Sequence, residues 1–375
     1  MPVKLHFGCE KVELIGSICK KYGKKVLIVT GKKSTKKTGL LYRVIEYLKA
    51  EDLENVVFDE VQQNPLTTTV EAGVKLAKQE GCDIVLGLGG GSAMDTAKAI
   101  AFSCVNEGDI SDYIFGKQGH GALSIILVTT TAGTGSEADS IAVLTNPKTR
   151  DKKALKSPYI YPKESIIDPE LMTTMPKKVI AATGFDALCH AIEGYLSKYA
   201  NPITDALALD VIKRISENLP KVYNNPSDIK SWGNMAIANT MAGMVLDSSG
   251  ATLIHGMEHP LSGLYNIVHG EGLAALMPTA LEYTFAFAVK KCKNIVLAME
   301  YIDESDEIVP SKAKDAVIDL LEKINLKVSL KELGVKEEDV DWLTQNALKT
   351  MKHAIYKHPV VLDKNKIRQL YIDCL

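Results

Sequence analysis

The chain has 375 residues, of which 46% are hydrophobic and 24% are charged, a balance typical of globular proteins long enough for two domains. The formal net charge is only −2, which argues against nucleic acid or a membrane surface as the partner. The seven cysteines are scattered without a C-x-x-C pair, and neither a signal peptide nor an 18-residue apolar run is recognisable. We therefore expect a cytoplasmic protein with reduced thiols.

The first part of the chain alternates short apolar runs with helical patterns. Such alternation, with strands that are apolar throughout, is typical of a Rossmann-like parallel sheet covered on both faces. Ligands bind beyond the carboxyl ends of the strands in such sheets. Strands are predicted at 25–30, 55–61, 83–88 and 124–130, and helices at 38–50, 67–80 and 92–103.

The composition changes from about Pro176 onward. Ala, Leu, Met and Lys recur at helical spacing, as in 205–215 and 235–246, so this half is predicted to be all-helical. Pro162, Pro169 and Pro176 mark the join. We therefore predict an α/β dinucleotide-binding domain at 1–175 and an all-α metal-binding and substrate domain at 176–375.

A glycine-rich segment, G-L-G-G-G-S-A-M-D-T-A-K (87–98), follows a predicted strand and opens a predicted helix. Consecutive glycines let the backbone approach a pyrophosphate, and a helix N-terminus offers unpaired N–H groups. Ser92 is the predicted N-cap, with Asp95 three residues later as in a capping box. The G-x-G-x-x-G fingerprint fails because position 92 is Ser, and a simple tight turn is the alternative. The order of strand, glycines, cap and helix favours phosphate binding.

Two further loops follow predicted strands. The threonine-rich loop T-T-T-A-G-T-G-S-E (129–137) offers hydroxyls and N–H groups that suit a diphosphate or a nicotinamide carboxamide, with a serine/threonine turn as the alternative. The lysine-rich loop T-G-K-K-S-T-K-K-T-G (30–39) has no acidic residue in reach, which favours the 2′-phosphate of NADP over the bare ribose of NAD. A solvated lysine-rich loop is the alternative there.

Four of the eight histidines lie between positions 190 and 269. Asp186 and His190 are four residues apart, as are His255 and His259, and His269 follows in a predicted loop. Residues four apart share one helical face, so each pair can grip one cation. A single pair of this kind also stabilises ordinary helices, but two pairs and a further histidine favour a metal site.

Five motifs occur in order: G-G-G-S-A-M-D-T-A-K, T-T-A-G-T-G-S-E, D-P-E-L-M, G-F-D-A-L-C-H-A-I-E, and H-G-M-E-H-P-L-S followed by H-G. As a set they resemble the iron-containing (group III) alcohol dehydrogenase family, and the resemblance spans almost the whole chain. It implies an α/β cofactor domain, an all-helical domain and an active site between them. It also implies a histidine near the nicotinamide, His259, for proton transfer, and four metal ligands: Asp186, His190, His255 and His269.

The same resemblance implies a set of cofactor contacts. NAD-preferring members tend to carry Asp directly after the first strand, where this chain has Gly31. The stretch containing Gly31 and Ser34 instead resembles the NADP-dependent butanol dehydrogenase-like branch, although lysines replace two of its usual glycines. We therefore expect NADP, with NAD as the alternative. The other implied cofactor contacts are Asn64, Gly90, Gly91, Ser92, Thr130, Thr131 and Thr134, with Lys153 as a looser match.

A divalent ion at such a site acts as a Lewis acid on an alcohol or carbonyl oxygen. One carboxylate and three imidazoles suit Fe(II), Zn(II) or another divalent metal, so iron rests on the resemblance alone. The expected reaction is hydride transfer between NADP(H) and a small primary alcohol or aldehyde.

Alternatives remain at this stage. The substrate alternatives are a diol, lactaldehyde or glycerol, and the alternative class of enzyme is a non-redox lyase similar to dehydroquinate synthase. A non-catalytic binding protein would require a broken site, whereas all four ligand positions are filled. We also expect a homo-oligomer, a dimer, with an apolar edge strand near the N-terminus as one way to pair two copies.

Overall fold

The computed structural model describes residues 2–375 and divides into two compact units, of which the first ends at Thr174 and the second begins at Met175. The first unit contains a sheet and a separate hairpin, and its strands are β1 (Lys4–Phe7), β2 (Lys25–Gly31), β3 (Glu54–Val61), β4 (Ile84–Gly89), β5 (Ser124–Thr129), β6 (Ile141–Thr145), β7 (Lys152–Lys156) and β8 (Glu164–Ile167). Its helices are α1 (Ile15–Cys19), α2 (Ser34–Lys37), α3 (Leu40–Lys49), α4 (Thr67–Glu80), α5 (Gly91–Val105) and α6 (Ile110–Ile114).

Across residues 2–375, six strands form one sheet in the order β1-β8-β5-β4-β2-β3, and every pair in it is parallel. Side chains of successive residues alternate between its faces. Leu27 and Val29 of β2 pack in a core with α4 and α5, whereas Val26 and Ile28 pack on the other face with α1 and α3. Both faces are therefore covered, as the apolar strands predict. Strands β6 and β7 form a separate antiparallel hairpin.

The predicted strands and helices up to residue 130 are all present, but β8 and the hairpin were not predicted, and the edge strand expected near the N-terminus, here β1, had no residues assigned to it. The strand β8 is only four residues long and begins with the charged Glu164, so a search for apolar runs does not identify it as a strand. In the fold, Glu164 is buried, and its carboxylate can be accommodated there because His6, Lys21 and Tyr22 contact it at 2.5–3.1 Å. Together they lower the pKa of Glu164 to about 2 against the opposing effect of burial.

The predicted N-cap at Ser92 is wrong. Helix α5 begins at Gly91, its N-cap is Gly90 in an extended conformation, and Ser92 lies within the first turn. Asp95 does not complete a capping box, because its carboxylate accepts hydrogen bonds from Ser136 Oγ (2.7 Å) and the Val143 N–H (2.9 Å). The carboxylate thus serves the following loop and hairpin rather than the start of its own helix.

The second unit is built entirely of helices, and the predicted fold class, α/β followed by all-α, is confirmed. Across residues 2–375, no helix is long and apolar enough to span a membrane. The helices of the second unit are α7 (Lys177–Leu196), α8 (Pro202–Asn224), α9 (Ile229–Ser249), α10 (Leu253–Tyr265), α11 (His269–Phe285), α12 (Val289–Ala298), α13 (Pro310–Lys323), α14 (Val340–Thr350), α15 (Lys352–Lys357) and α16 (Lys364–Asp373).

Helix α7 runs through the core of this second unit. Its residues from Ile180 to Leu196 are buried except for Thr183, so neighbouring helices surround it. Glycines permit the close approach: a Cβ on Gly184 would lie 2.4 Å from a Leu219 methyl carbon. Polar residues on α7 are therefore desolvated and need partners within the protein.

Candidate functional site

Five metal-binding side chain candidates come together on three helices of the second unit. Asp186 and His190 lie one turn apart on α7, and His255 and His259 lie one turn apart on α10. His269, which we expected in a loop, is the first residue of α11. The three-residue link 266–268 between α10 and α11 returns the chain to α7. The spacing of residues within one helix therefore could not predict the position of His269.

One carboxylate oxygen stands at the centre of this group. The Nε2 atoms of His190, His255 and His269 lie 3.5, 3.4 and 3.7 Å from Oδ1 of Asp186. Ligand atoms around a tetrahedral ion with bonds of about 2.0–2.1 Å are separated by roughly 3.3 Å. The ligand atoms of Asp186, His255 and His269 also lie within 4.8 Å of one another, so these three fit one shared cation, whereas His190 is close to Asp186 but outside that mutual group. The His190 and His255 rings stack with centroids 4.6 Å apart, so both imidazoles approach Asp186 from one side.

Two of these atoms lack a hydrogen bond. Asp186 Oδ1 and His255 Nε2 are buried and make no hydrogen bond within residues 2–375. Their mutual distance of 3.4 Å is that of an ion pair without hydrogen-bond geometry. A buried polar atom without a partner costs about 1–3 kcal/mol, and a metal ion would supply that partner.

The electrostatics of the group favour a cation. Burial opposes ionisation of Asp186, yet the neighbouring imidazoles of His190, His269 and His255 lower its pKa to about 2. Burial also disfavours a charged His255, yet Glu193 and Asp186 raise its pKa to about 10. Both shifts show that the carboxylates draw positive charge into this position, in the form of a proton or a metal ion.

Glu193 on α7 binds the far side of one of these imidazoles. Its carboxylate contacts Nδ1 of His255 and accepts hydrogen bonds from Thr252 Oγ1 (2.9 Å) and the Ile254 N–H (2.7 Å). The side chain is fully buried, and despite that burial the contacts with His255 lower the pKa of Glu193. A carboxylate on Nδ1 orients an imidazole so that Nε2 faces a metal.

Glu258 on α10 makes the same kind of contact with His269. Its Oε2 lies against Nδ1 of His269, and its Oε1 accepts a hydrogen bond from Ser262 Oγ. Sequence analysis missed both Glu193 and Glu258. Three-residue spacing puts Glu193 on one helical face with His190 and Glu258 on one face with His255, but each glutamate contacts a histidine of another helix, so spacing could not assign these contacts.

His259 lies beside the group centred on Asp186. It is buried, and its ring centroid is 6.3 Å from that of His255 and 5.7 Å from that of His269. Together with Glu258 and His269 it offers ligand atoms within 4.8 Å of one another. Glu258, however, already contacts Nδ1 of His269, so Asp186, His255 and His269 form the better cation group.

Glycine at position 270 allows His269 to reach Asp186. A Cβ at Gly270 would lie 2.1 Å from the backbone oxygen of Ala182 on α7, a distance that real contacts do not reach. Only glycine therefore lets the first turn of α11 pack directly against α7. The H-G-E-G segment thus combines a ligand candidate with the residue that permits its approach.

In the first unit, the glycine-rich and threonine-rich loops lie against each other at the ends of the neighbouring strands β4 and β5. A Cβ on Gly90 would lie 3.0 Å from the Thr131 side chain, and one on Gly91 would lie 2.3 Å from Thr134. The Thr130 N–H donates to the Gly89 oxygen at 3.0 Å. The structure therefore brings together Gly90, Gly91, Ser92, Thr130, Thr131 and Thr134 beside the N-terminus of α5, where an anion is favoured.

Further cofactor candidates lie at the same edge of the sheet, because they follow other strands of a parallel sheet. Gly31 ends β2, Ser34 begins α2, and Asn64 follows β3 with a left-handed φ of 48°. A Cβ on Gly31 would meet nothing closer than 3.8 Å, so this position is open.

An acidic residue, Asp59, does lie in reach of the lysine-rich loop, so the prediction that none does is wrong. Lys36 Nζ forms an ion pair with Asp59 of β3, and this contact lowers the pKa of Asp59 against the effect of partial burial. Strand pairing is the cause, since Gly31 of β2 pairs with Val61 and so brings β3 alongside the loop. The two residues are 23 positions apart, beyond any local motif.

Lys153 lies in the hairpin strand β7. Its ammonium group stands 4.5 Å from the centroid of the Phe115 ring, and burial lowers its pKa. The preceding Lys152 lies on the opposite side of the hairpin, where it is buried. Burial raises the pKa of Asp95, and the positive charge of Lys152 acts in the opposite direction. The two lysines therefore occupy different environments.

Comparison with known proteins yields consistent matches over the whole chain. The family described as "Fe-containing alcohol dehydrogenase family, C-terminal" matches residues 180–375, and "Iron-containing alcohol dehydrogenase" matches residues 2–169. The 1,3-propanediol dehydrogenase of Citrobacter freundii is 37% identical over 351 residues, which cover 92% of this chain and 90% of the relative. The NAD-dependent methanol dehydrogenase of Bacillus methanolicus is also 37% identical over 351 residues, with coverages of 91% and 90%.

Solved structures give the same result. The NADH-dependent butanol dehydrogenase A of Thermotoga maritima superposes with a TM-score of 0.92 at 33% sequence identity, covering 99% of this chain and 96% of that one. At this level of identity the similarity extends beyond the fold to the sequence itself.

The contact between Glu193 and His255 generates a prediction. We expect Glu193→Gln to weaken the binding of Fe(II) or Zn(II) roughly 10–100-fold, because the amide no longer holds the His255 imidazole with a charge. Competition with a chromogenic chelator measures this affinity. Glu217→Gln is the matched control, since that glutamate pairs with Lys221 on the exposed face of α8 and should leave the affinity unchanged. Equal affinities in wild type and Glu193→Gln would exclude the orienting role.

Proposed function

We propose a specific reaction for this chain, which belongs to the iron-containing alcohol dehydrogenase family: the reversible reduction of small primary aldehydes by NADPH at a divalent metal. As a member of that family the chain is an oxidoreductase that acts on CH–OH groups and uses a divalent metal with NAD(P). The finer assignments below are our proposals.

The metal ligands that we propose are Asp186, His190, His255 and His269, in the helical domain 176–375. The observation that carries this proposal is the approach of three imidazole Nε2 atoms to within 3.4–3.7 Å of Asp186 Oδ1. When bound, a divalent ion polarises the substrate oxygen and stabilises developing alkoxide charge. Glu193 and Glu258 hold two of the imidazoles in orientation from behind.

Fe(II) is the metal that we propose, because the chain belongs to an iron-containing family. The ligands themselves suit Zn(II) or another divalent ion equally well, since the set contains no thiolate and iron lies low in the affinity series. One carboxylate and three imidazoles would leave a position for the substrate oxygen only if the ion takes more than four ligands, and such an open position is what a catalytic site requires.

His259 is the residue to which we assign proton transfer. It lies one turn beyond His255 on α10, close to the ligand rings but outside the group around Asp186. A neutral imidazole accepts the proton of an alcohol during oxidation, and the imidazolium returns it during aldehyde reduction.

We assign cofactor binding to the domain 1–175. The amide groups at Gly91 and Ser92 would face the pyrophosphate, for which the N-terminus of α5 is suited, and the Thr130, Thr131 and Thr134 hydroxyls would bond the pyrophosphate or the carboxamide. Asn64 and Lys153 complete the proposed set. When bound, the nicotinamide ring supplies or accepts the hydride.

NADP is the cofactor that we propose, with contacts at Gly31 and Ser34. Gly31 places neither a side chain nor a carboxylate at the end of β2, and lysines follow directly. Two relatives point the other way, because the methanol and butanol dehydrogenases are named for NAD and NADH. The ion pair between Lys36 and Asp59 also removes one lysine from the free positive charge of the loop.

The substrate that we propose is a short primary alcohol and its aldehyde, since relatives act on methanol, butanol and 1,3-propanediol by their names. The propanediol relative keeps a diol as the alternative. We further propose a cytoplasmic homodimer, for which β1 is a candidate contact because it is an edge strand of the sheet.

Turnover by the wild type tests the proposed reaction. We expect the anaerobically purified, Fe(II)-loaded protein to oxidise NADPH in the presence of butyraldehyde, with kcat/KM for NADPH above that for NADH. The rates follow from the absorbance of the reduced nicotinamide. Preference for NADH would keep the enzyme class and refute NADP, whereas turnover of 1,3-propanediol alone would replace the proposed substrate.

The Lys36–Asp59 ion pair gives a second prediction. Asp59→Asn should raise the ratio of kcat/KM for NADPH to that for NADH by about 3–10-fold, because it frees the charge of Lys36 near the proposed 2′-phosphate position. Asp52→Asn is the control, since it removes an equal charge before the amino end of β3. A ratio that stays unchanged in both variants would place the 2′-phosphate away from Lys36.

His259 and His269 can be told apart by metal content. We expect His259→Ala to keep a full metal complement and to lose roughly 10²–10⁴-fold in kcat, as expected for a lost general acid–base. His269→Ala should instead lose most of the metal. Metal analysis after dialysis, beside kcat under saturating conditions, separates the two. Equal metal loss in both variants would make His259 a ligand.

A further inference from the structure

The glycine-rich motif contains two charged residues that the proposed reaction does not use, Asp95 and Lys98. Both lie on α5 in the first unit, and both are buried, with exposed fractions of 8% and 0%. Charged side chains are rarely buried in this way without a specific set of partners. Their partners all belong to one stretch of chain, the loop and hairpin strand at 136–143.

Asp95 bonds this stretch at two points. One carboxylate oxygen accepts from Ser136 Oγ at 2.7 Å, and the other accepts from the Val143 N–H at 2.9 Å. Ser136 lies near the end of the threonine-rich loop, and its own N–H donates to Thr134 Oγ1 at 3.2 Å. Asp95 is therefore only two hydrogen bonds away from a threonine proposed to contact the cofactor.

Lys98 continues the attachment one turn further along α5. Its ammonium group donates to Asp139 Oδ1 (2.6 Å), to the Asp139 backbone oxygen (3.0 Å) and to the Ile141 backbone oxygen (2.9 Å). Asp139 in turn accepts from the Ile141 N–H at 2.8 Å. These bonds satisfy backbone groups of an irregular loop that would otherwise be buried without partners.

The contacts run in register along the helix. Gly90 and Gly91 meet Thr131 and Thr134, Asp95 meets Ser136 and Val143, and Lys98 meets Asp139 and Ile141. The threonine-rich loop is thus laid along the helix whose N-terminus is the proposed phosphate site. An apolar side chain at position 95 could pack there, but it could not accept the hydrogen bonds from Ser136 and Val143 that hold the loop in this register along α5.

We propose that Asp95 is a positioning residue for the dinucleotide, which sets the threonine-rich loop against the N-terminus of α5 so that both contact one cofactor. This inference rests on the proposed function. Asp95 does not touch the cofactor, and its effect is transmitted through Ser136 and Thr134.

The test compares cofactor binding with stability. Asp95→Ala removes both acceptors, and we expect Kd and KM for NADPH to rise about tenfold, as two lost buried hydrogen bonds imply. In the metal-loaded enzyme, kcat at saturating cofactor and KM for the aldehyde should change less than about threefold. Asp95→Asn should recover most of the affinity, because its amide oxygen can accept from Val143 while its NH2 group donates to Ser136 Oγ.

Asp168→Ala is the matched control. Asp168 lies in the same unit, is also buried, and accepts hydrogen bonds from the Val12 and Glu170 N–H groups, which belong to neither loop. We expect this variant to lower Tm about as much as Asp95→Ala does but to leave Kd for NADPH unchanged. If Asp95→Ala does not fold, Ser136→Ala tests the same link and should raise Kd about threefold.

Other outcomes overturn the inference. Equal Kd values in the wild type and Asp95→Ala, or equal increases in Asp95→Ala and Asp168→Ala, would reduce Asp95 to a structural residue. A wild type that binds neither NADPH nor NADH, measured by isothermal titration calorimetry, would contradict the proposed function together with the inference. If the wild type binds NADPH and Asp95→Ala binds it with the same Kd, the inference alone is contradicted.

Discussion

The structure of the second unit depends on one buried carboxylate, Asp186, and on the imidazoles that face it. A carboxylate in the middle of a nearly fully buried helix is costly unless positive charge compensates it. Here three histidines from α7, α10 and α11 direct Nε2 atoms at one oxygen. The packing of these three helices and the chemistry of the site are therefore one problem. Glycine at position 270 is part of the same solution, because α11 could not otherwise bring its first residue to α7.

The charges around this carboxylate favour a cation at this position. Asp186, Glu193 and Glu258 are all buried and all contact imidazoles, so neutral histidines would leave three uncompensated negative charges. A divalent ion compensates two of them, and the raised pKa of His255 reflects the same attraction toward a proton. Metal binding and folding stability of the helical unit are consequently linked, because an ion that binds only the folded site stabilises it.

Much of this architecture could be predicted from the sequence, for identifiable physical reasons. Buried parallel strands such as β2 and β4 have apolar runs at their centres, and a shared helical face follows directly from four-residue spacing, as in Asp186 and His190. The failures were of another kind. Strand β8 begins with Glu164, whose charge is neutralised by side chains more than 140 positions away. Serine is a favoured residue type at an N-cap, but Gly90 and not Ser92 occupies the N-cap of α5. Spacing gave Glu193 and Glu258 no role, since only the folded helices place them behind His255 and His269.

The two proposed sites depend on different groups of the chain, side chains in the second unit and mainly backbone groups in the first. This difference decides how reliably a sequence motif predicts each site. The proposed metal site consists of side chains, so residue type and spacing nearly define it. The proposed cofactor site consists largely of backbone groups, which every residue possesses, so its geometry depends on contacts that hold the loops in place. Cofactor preference illustrates the point. The lysine-rich loop alone favours a 2′-phosphate, yet pairing of β2 with β3 brings Asp59 to Lys36 and changes the charge that a ligand would meet. If the 2′-phosphate position that we propose is right, preference between NADP and NAD depends on two neighbouring strands and cannot be read from the lysine-rich loop alone.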